Sequence, residues 1–417
     1  MIFGRKNIDE VFTPRNPTVN NGMYIPRQAL EKGLFRSVTG SMHSFLFGES
    51  GTGKSWLYKK VFKDKGINYV IANCASASMK NSITGEIYSV CIPPGTSEKT
   101  GYKETKKAGF SAGATAEISH EGEFQIVMKD GLLKSFEELH RKGGGNKSVI
   151  VVDNVETIVK NEKLMSELSD IIILLDDERY ARCKVKLLIV GVPNEVIRYY
   201  SAAKNRSSVG NRIEEIERVT GFDSAQVYDL VERGFNQFLK VKIPELQTRL
   251  LSRHIYDVTL GVPQRVHEYC ECLAYEIEDN DWLYSNELLE ESDKRWLLKG
   301  LRECYSTIEK HLNSDETSEG RRNQVIYSLG QHSIHQIDTN KVGEIIRKEF
   351  PSTAPESNSG IGQILAHLSK DKNAILHPIS NSNYYSITDP RYIMCIRVML
   401  YKEPGTEIVK KKAFKIS

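Results

Sequence analysis

Residues 44–62 confine this chain to a narrow set of folds. Ser44–Phe47 is a short apolar run of strand type, Gly48-Glu-Ser-Gly-Thr-Gly-Lys54-Ser55 follows without a spacer, and Trp56–Phe62 reads as helix. Glycines let a backbone curl until several N–H groups face one point, and the helix behind them adds the positive end of its dipole. Strand, glycine loop and helix in that order make a cradle for phosphate. The pattern predicts that Gly48, Glu49, Ser50, Gly51, Thr52, Gly53, Lys54, Ser55 and Trp56 hold ATP, with Lys54 on the β- and γ-phosphates and the Ser55 hydroxyl on Mg²⁺.

A second pattern supplies the acid that such a site requires. Val149-Ile-Val-Val-Asp153-Asn154-Val-Glu156 is a buried strand that ends in a carboxylate. Asp153 is expected beside the phosphate loop, on a neighbouring parallel strand, where it holds the hydration shell of the metal. Many hydrolysing enzymes of this kind carry Glu at the next position to polarise the attacking water; here that residue is Asn154. Asn orients a water but cannot take its proton. Glu156 either swings in to do so or is a solvent-facing acid at a helix start, so slow hydrolysis is expected.

Between and after these motifs the chain alternates strand and helix. Tyr24–Leu34 has helical periodicity, Tyr69–Ala72 reads as a strand, and Ile126–Lys142 is a helix closed by Gly143–Gly145. Ser148–Val152 is an apolar strand, Glu162–Asp176 a helix and Val185–Val190 another buried strand. This alternation predicts an α/β core with a parallel sheet. Residues 93–124 shift to Gly, Ser, Thr, Ala and Lys and read as an inserted hairpin or loop, with Lys99, Lys103, Lys106 and Lys107 interleaved with Tyr102 and Phe110. After Gly221 the pattern is helical only, over Ser224–Phe238, Pro244–Gly261 and Arg265–Glu278. Arg321–Gln331, Asn340–Phe350 and Ser357–Lys370 then read as three short helices, followed by a hairpin of Ala374–His377 and Tyr384–Thr388. That order is the order of a winged helix. The expected divisions are an arm at 1–22, an ATPase core at 23–220, a helical lid and connector at 221–300, a winged-helix domain at 301–405 and a basic tail at 406–417.

Bulk properties remove several alternatives. A formal charge of +3, from 57 basic and 54 acidic residues, gives no global field toward nucleic acid or membrane. The longest aliphatic runs, Val149–Val152 and Ile171–Leu175, fall far short of the ~20 residues that span a bilayer. No membrane association and a cytoplasmic location are expected. The seven cysteines are scattered, and Cys270-x-Cys272 lacks the second pair of ligands a zinc site needs.

Taken in order, residues 20–400 resemble the AAA+ ATPases of the origin-recognition type and the related STAND signalling NTPases, especially bacterial members with a C-terminal winged helix. Tyr24-Ile-Pro-Arg27-Gln-Ala-Leu30 is similar to the segment that lines the adenine in that family, and so implies base contacts from Tyr24, Ile25 and Arg27. Leu187-Leu-Ile-Val-Gly-Val-Pro-Asn194 resembles the strand whose last polar residue senses the γ-phosphate, which puts Asn194 in that role. Asn211-Arg212-Ile-Glu-Glu-Ile resembles the segment that presents an arginine to a neighbouring subunit; Arg212 is the better candidate, Arg206 the weaker, and either implies a homo-oligomer. Gly261-Val-Pro263-Gln264-Arg265 resembles the lid motif G-x-P-R with one residue inserted, so Gln264 or Arg265 takes the arginine's place, while Pro263 touches the base region as in STAND proteins.

The resemblance implies a slow, Mg·ATP-dependent oligomerising switch for a protein effector, such as one used in defence against phage. It leaves open a DNA-binding ATPase of replication or transposition. The third helix of the expected winged helix, 357–370, holds one basic residue, Lys370, beside Asn358, Gln363 and His367, which can neutralise few phosphates.

Overall fold

The computed structural model describes residues 4–92, 131–192, 209–313, 320–331, 336–370 and 373–412. These fall into two compact units, one of residues 17–19 and 26–220 and the other of residues 4–16, 20–25 and 221–412. The insertion expected at 93–124 lies outside the described residues.

The first of these units is the expected α/β core. Its sheet is built from β1 (His43–Phe47), β2 (Asn68–Asn73), β3 (Ser148–Asp153), β4 (Val185–Gly191) and β5 (Ile213–Glu215), all parallel, in the order β2-β3-β4-β1-β5. Alternate side chains of each strand enter opposite layers. Val149, Val151, Leu188 and Val190 pack against the helices Gln28–Thr39 and Lys54–Lys65, while Ile150, Val152, Leu187 and Ile189 pack against helices 131–142 and Glu162–Leu174. Both faces are covered, so β3 and β4 are continuous Val/Ile/Leu runs, as buried parallel strands must be.

Two expectations are corrected here. The acidic strand is not the neighbour of β1: β4 lies between them, which separates β3 from β1 by two strand spacings, about 10 Å. Strand alternation in sequence does not state how far each crossover reaches, and the step from β1 to β2 skips two places. The helix read from Tyr24 instead runs Gln28–Thr39, because Pro26 holds the preceding residues extended and Arg27 occupies the N-cap. The edge strand β5, with the sequence Ile-Glu-Glu, carries no apolar pattern and was not expected from sequence.

His43, at the start of β1, is buried and accepts the Leu187 backbone N–H on Nδ1. Burial first, and the Lys186 ammonium second, pull its pKa down to about 4. The folded chain therefore holds it neutral where the unfolded chain would protonate it. Its contribution to stability is complete above about pH 6.5 and is lost as pH falls toward 4, at about 1.4 kcal/mol per pH unit and about 3 kcal/mol in all. Thermal melts of the wild type between pH 7 and 4 should show this decline, and His43→Gln should flatten it.

The second unit is helical, with a hairpin near its end. Ile8, Val11 and Phe12 of the N-terminal segment are buried within it, with Phe12 against Phe235 at 5.0 Å between ring centres. The expected arm is therefore part of a core. Ser224–Val231 runs into a wider-coiled turn over Glu232–Phe238, followed by Glu245–Thr259 and Pro263–Asp279. Gly261 is required between the last two: its φ is 64°, and a Cβ there would lie 2.2 Å from the Phe222 carbonyl oxygen. Helices Arg321–Gly330, Thr339–Glu349 and Ser359–Leu368 precede the antiparallel hairpin β6 (Leu376–Pro378) and β7 (Tyr385–Ile387). An isolated bridge from Ile337 to Tyr385 adds a third partner.

The expected basic tail is partly built in. Leu400–Lys402 (β8) pairs with Val409–Lys411 (β9), and Lys410, Lys411 and Lys412 are ion-paired with Glu403, Glu309 and Asp293. Asp293 is buried and also accepts from Tyr269 Oη at 2.7 Å, with His254 Nε2 at 2.9 Å. Lysine 415 lies outside the described residues.

Candidate functional site

All five strands are parallel, so their C-terminal ends share one edge of the sheet, where the ligands of open α/β sheets bind. β1 leads there into the glycine loop. Gly51 and Gly53 have φ of 81° and 86°, values side chains resist, and Gly48 is closed in by the edge segment after β5: a Cβ on it would stand 2.3 Å from the Val219 carbonyl oxygen. That segment follows β1 beyond the ladder, with Ile216 N–H donating to the Phe45 carbonyl at 3.0 Å and Val219 N–H to that of Phe47 at 2.8 Å.

Arg27 braces the loop from behind. Its buried guanidinium donates through Nη1 to the Thr52 carbonyl at 2.8 Å and through Nη2 to the Gly53 carbonyl at 3.3 Å. In a trans peptide the N–H points opposite to the preceding C=O, so the Gly53 and Lys54 amides are turned the other way. Helix Lys54–Lys65 begins at that point with its own first N–H groups. These donors form a site for a polyphosphate.

Lys54 Nζ sits inside the loop, donating to the Gly48 carbonyl at 2.7 Å and the Glu49 carbonyl at 2.9 Å. Burial pushes its pKa below the usual lysine value, while Glu156, Asp153 and Glu49, in that order, pull it back up. The sequence-predicted Lys54, Asp153 and Glu156 are thus brought into one electrostatic neighbourhood despite the intervening strand. Glu49 is also held by a residue not anticipated from sequence, Arg218, whose Nη2 lies 2.7 Å from Glu49 Oε1. No local pattern announces Arg218, since only the sheet order carries the segment after β5 to the loop.

At the end of β3 the two oxygens of Asp153 have different partners. Oδ1 accepts the Asn154 N–H at 2.9 Å, and Oδ2 accepts the Tyr58 hydroxyl at 3.0 Å. Asn154 is left-handed, with φ of 61°, a conformation Asn tolerates better than most residues. This turn starts the short 3-10 helix Val155–Thr157, on which Glu156 sits. Glu156 Oε2 is buried and makes no hydrogen bond among the described residues. Such an atom costs free energy unless it serves a ligand or a water.

The remaining candidates are dispersed. Ser55 and Trp56 are half-buried on the first turn after the loop, and Ser50 is exposed at its tip. Arg212 precedes β5, beside the beginning of β1 and so at the opposite end of the sheet from the glycine loop, and it pairs with Asp176. Asn194 and Arg206 lie outside the described residues. Tyr24, Ile25, Pro263 and Arg265 belong to the helical unit. Tyr24 and Ile25 are buried, Pro263 opens its helix, and Arg265 donates to the buried Glu268 at 2.6 Å, where Gln264 Nε2 also donates at 2.9 Å.

Fold and site together define a P-loop NTPase. Residues 38–199, within the α/β unit, match the family described as AAA domain. Among solved structures, the Walker-type ATPase PABY2304 of Pyrococcus abyssi is 13% identical, with a TM-score of 0.50, over 90% of this chain and 96% of that one. The ORC2 protein of Aeropyrum pernix, in its ADPNP–ADP complexes, is 14% identical with a TM-score of 0.48, over 93% and 97%. Cdc6p from Pyrobaculum aerophilum is 16% identical with a TM-score of 0.43, over 94% and 97%. No curated protein matches this chain. Among the described residues no helix is long and apolar enough to cross a membrane.

Proposed function

We propose that this chain binds Mg·ATP at residues 48–55 and hydrolyses it, with Glu156 in place of the usual acid at position 154. One observation carries the reading: a buried carboxylate oxygen with no hydrogen-bond partner among the described residues, on the residue that acts most strongly on Lys54 among the nearby acids. Ser55 and Asp153 are the residues that would hold Mg²⁺, which would supply charge neutralisation on the phosphates. Lys54 leaves the Gly48 and Glu49 carbonyls for the phosphate oxygens. Asn154 orients water through its side-chain amide, and Glu156 takes the proton.

The wider role we propose is a nucleotide-dependent oligomerising switch acting on a protein partner. Three helices and a hairpin over residues 321–387 fit a winged helix, and the sparse basic charge of its third helix favours a protein contact over a DNA backbone. Arg212, partly exposed and paired with Asp176, is offered as the group that reaches a neighbouring subunit's nucleotide.

Equilibrium binding of fluorescent ATP, with turnover and sedimentation measured on the same samples, tests this. Wild type should bind nucleotide, turn over slowly and assemble with ATP in the absence of DNA. Lys54→Ala should lower affinity at least tenfold and remove assembly. Rapid turnover by the isolated chain, or assembly indifferent to nucleotide, would refute the switch.

A further inference from the structure

Helix Lys54–Lys65 carries a buried polar group that the phosphate-binding reading leaves without a task. Tyr58 is 0% exposed, three residues past Ser55 and therefore on the same helix face. Its ring is locked between Phe62, at 5.9 Å between centres, and Tyr69, at 6.3 Å. Leu57, Val61 and Phe62 fill the neighbouring buried positions of this helix, and a phenylalanine would fill this one as well. A buried phenol hydroxyl is retained at a cost unless it is hydrogen-bonded. Here it donates to Asp153 Oδ2 at 3.0 Å.

The donor order follows from elementary bookkeeping. A hydroxyl has one proton, and an ionised carboxylate only accepts, so the Tyr58 proton goes to Asp153. With Oδ1 held by the Asn154 amide, the plane of the Asp153 carboxylate is fixed as well. The candidate metal ligand at the end of β3 is thus oriented by a side chain of the helix that follows the phosphate loop, although a strand separates the two elements.

We propose that Tyr58 is a positioning residue for the magnesium site, setting the carboxylate of Asp153 before the cation arrives. The proposal rests on the reading of Ser55 and Asp153 as Mg²⁺ ligands. Groups that orient metal ligands typically govern metal affinity by 10- to 100-fold when removed.

Tyr58→Phe keeps the ring and its packing and removes only the hydroxyl. The purified 417-residue chain would be titrated with Mg²⁺ in the presence of a fluorescent ADP, and nucleotide affinity measured separately in EDTA. We expect the Mg²⁺ midpoint of Tyr58→Phe to rise at least tenfold while affinity in EDTA stays within about twofold of wild type. Asp153→Asn should raise the midpoint too, and adding Tyr58→Phe to it should change the midpoint little further, because the tyrosine acts through that carboxylate. A purely structural hydroxyl would lower the thermal midpoint and leave the Mg²⁺ midpoint alone, which overturns the proposal. If Asp153→Asn itself leaves the wild-type Mg²⁺ midpoint unmoved, the metal-site reading fails instead, and the role of Tyr58 falls with it.

Discussion

Glu156→Gln should lose at least a hundredfold in ATP turnover while binding ATP as tightly as wild type. A positioned general base contributes typically about 10²–10⁴-fold, and glutamine keeps the shape and polarity of the side chain without its capacity for a proton. The reason to place the base at 156 is geometric. Asn154 follows Asp153 directly, and its left-handed backbone ends β3 and turns the chain at once into Val155–Thr157. Glu156 thereby comes close to Lys54, with Oε2 buried and without a hydrogen-bond partner among the described residues. Asn154→Ala is the control: it should slow turnover far less than Glu156→Gln. Single-turnover hydrolysis with saturating ATP measures both, because it separates chemistry from binding. Equal and near-normal rates for wild type and Glu156→Gln would exclude Glu156 as the base.

The second large effect is expected from one methyl group. In Gly48→Ala the new Cβ would stand 2.3 Å from the Val219 carbonyl oxygen and 3.1 Å from Thr52 Oγ1, and the former is backbone that cannot rotate away. Either the segment after β5 moves off β1, breaking the Val219–Phe47 hydrogen bond, or the phosphate loop tips. Overpacking of this kind costs about 1–3 kcal/mol, and more where backbone must shift. The thermal midpoint should fall, and ATP affinity should fall by more than tenfold, since Lys54 takes its position from the Gly48 and Glu49 carbonyls. Gly33→Ala is the matched comparison. It lies in the helix Gln28–Thr39 with nothing within 4 Å of the added Cβ, so it should stabilise the protein by about 0.5–1 kcal/mol and leave ATP binding unchanged.

Much of this protein was determined by local sequence. The glycine loop at 48–55, the acid at the end of an apolar strand and the alternation of strand and helix are short-range patterns, since a loop that wraps phosphate needs consecutive residues and a buried strand needs an unbroken apolar run. What only the tertiary structure decided concerns residues joined through space. The order β2-β3-β4-β1-β5 came from crossover lengths that no periodicity records, and it set Asp153 two strands from β1 while bringing Arg218 to Glu49. The sequence left Glu156 between two roles, because the direction of a side chain two residues past a strand depends on the backbone turn at Asn154. In sequence Tyr58 is one residue within the expected helix Trp56–Phe62, with no pattern that marks it. Its hydroxyl acquired significance only when packing placed the Asp153 carboxylate within hydrogen-bond distance of it.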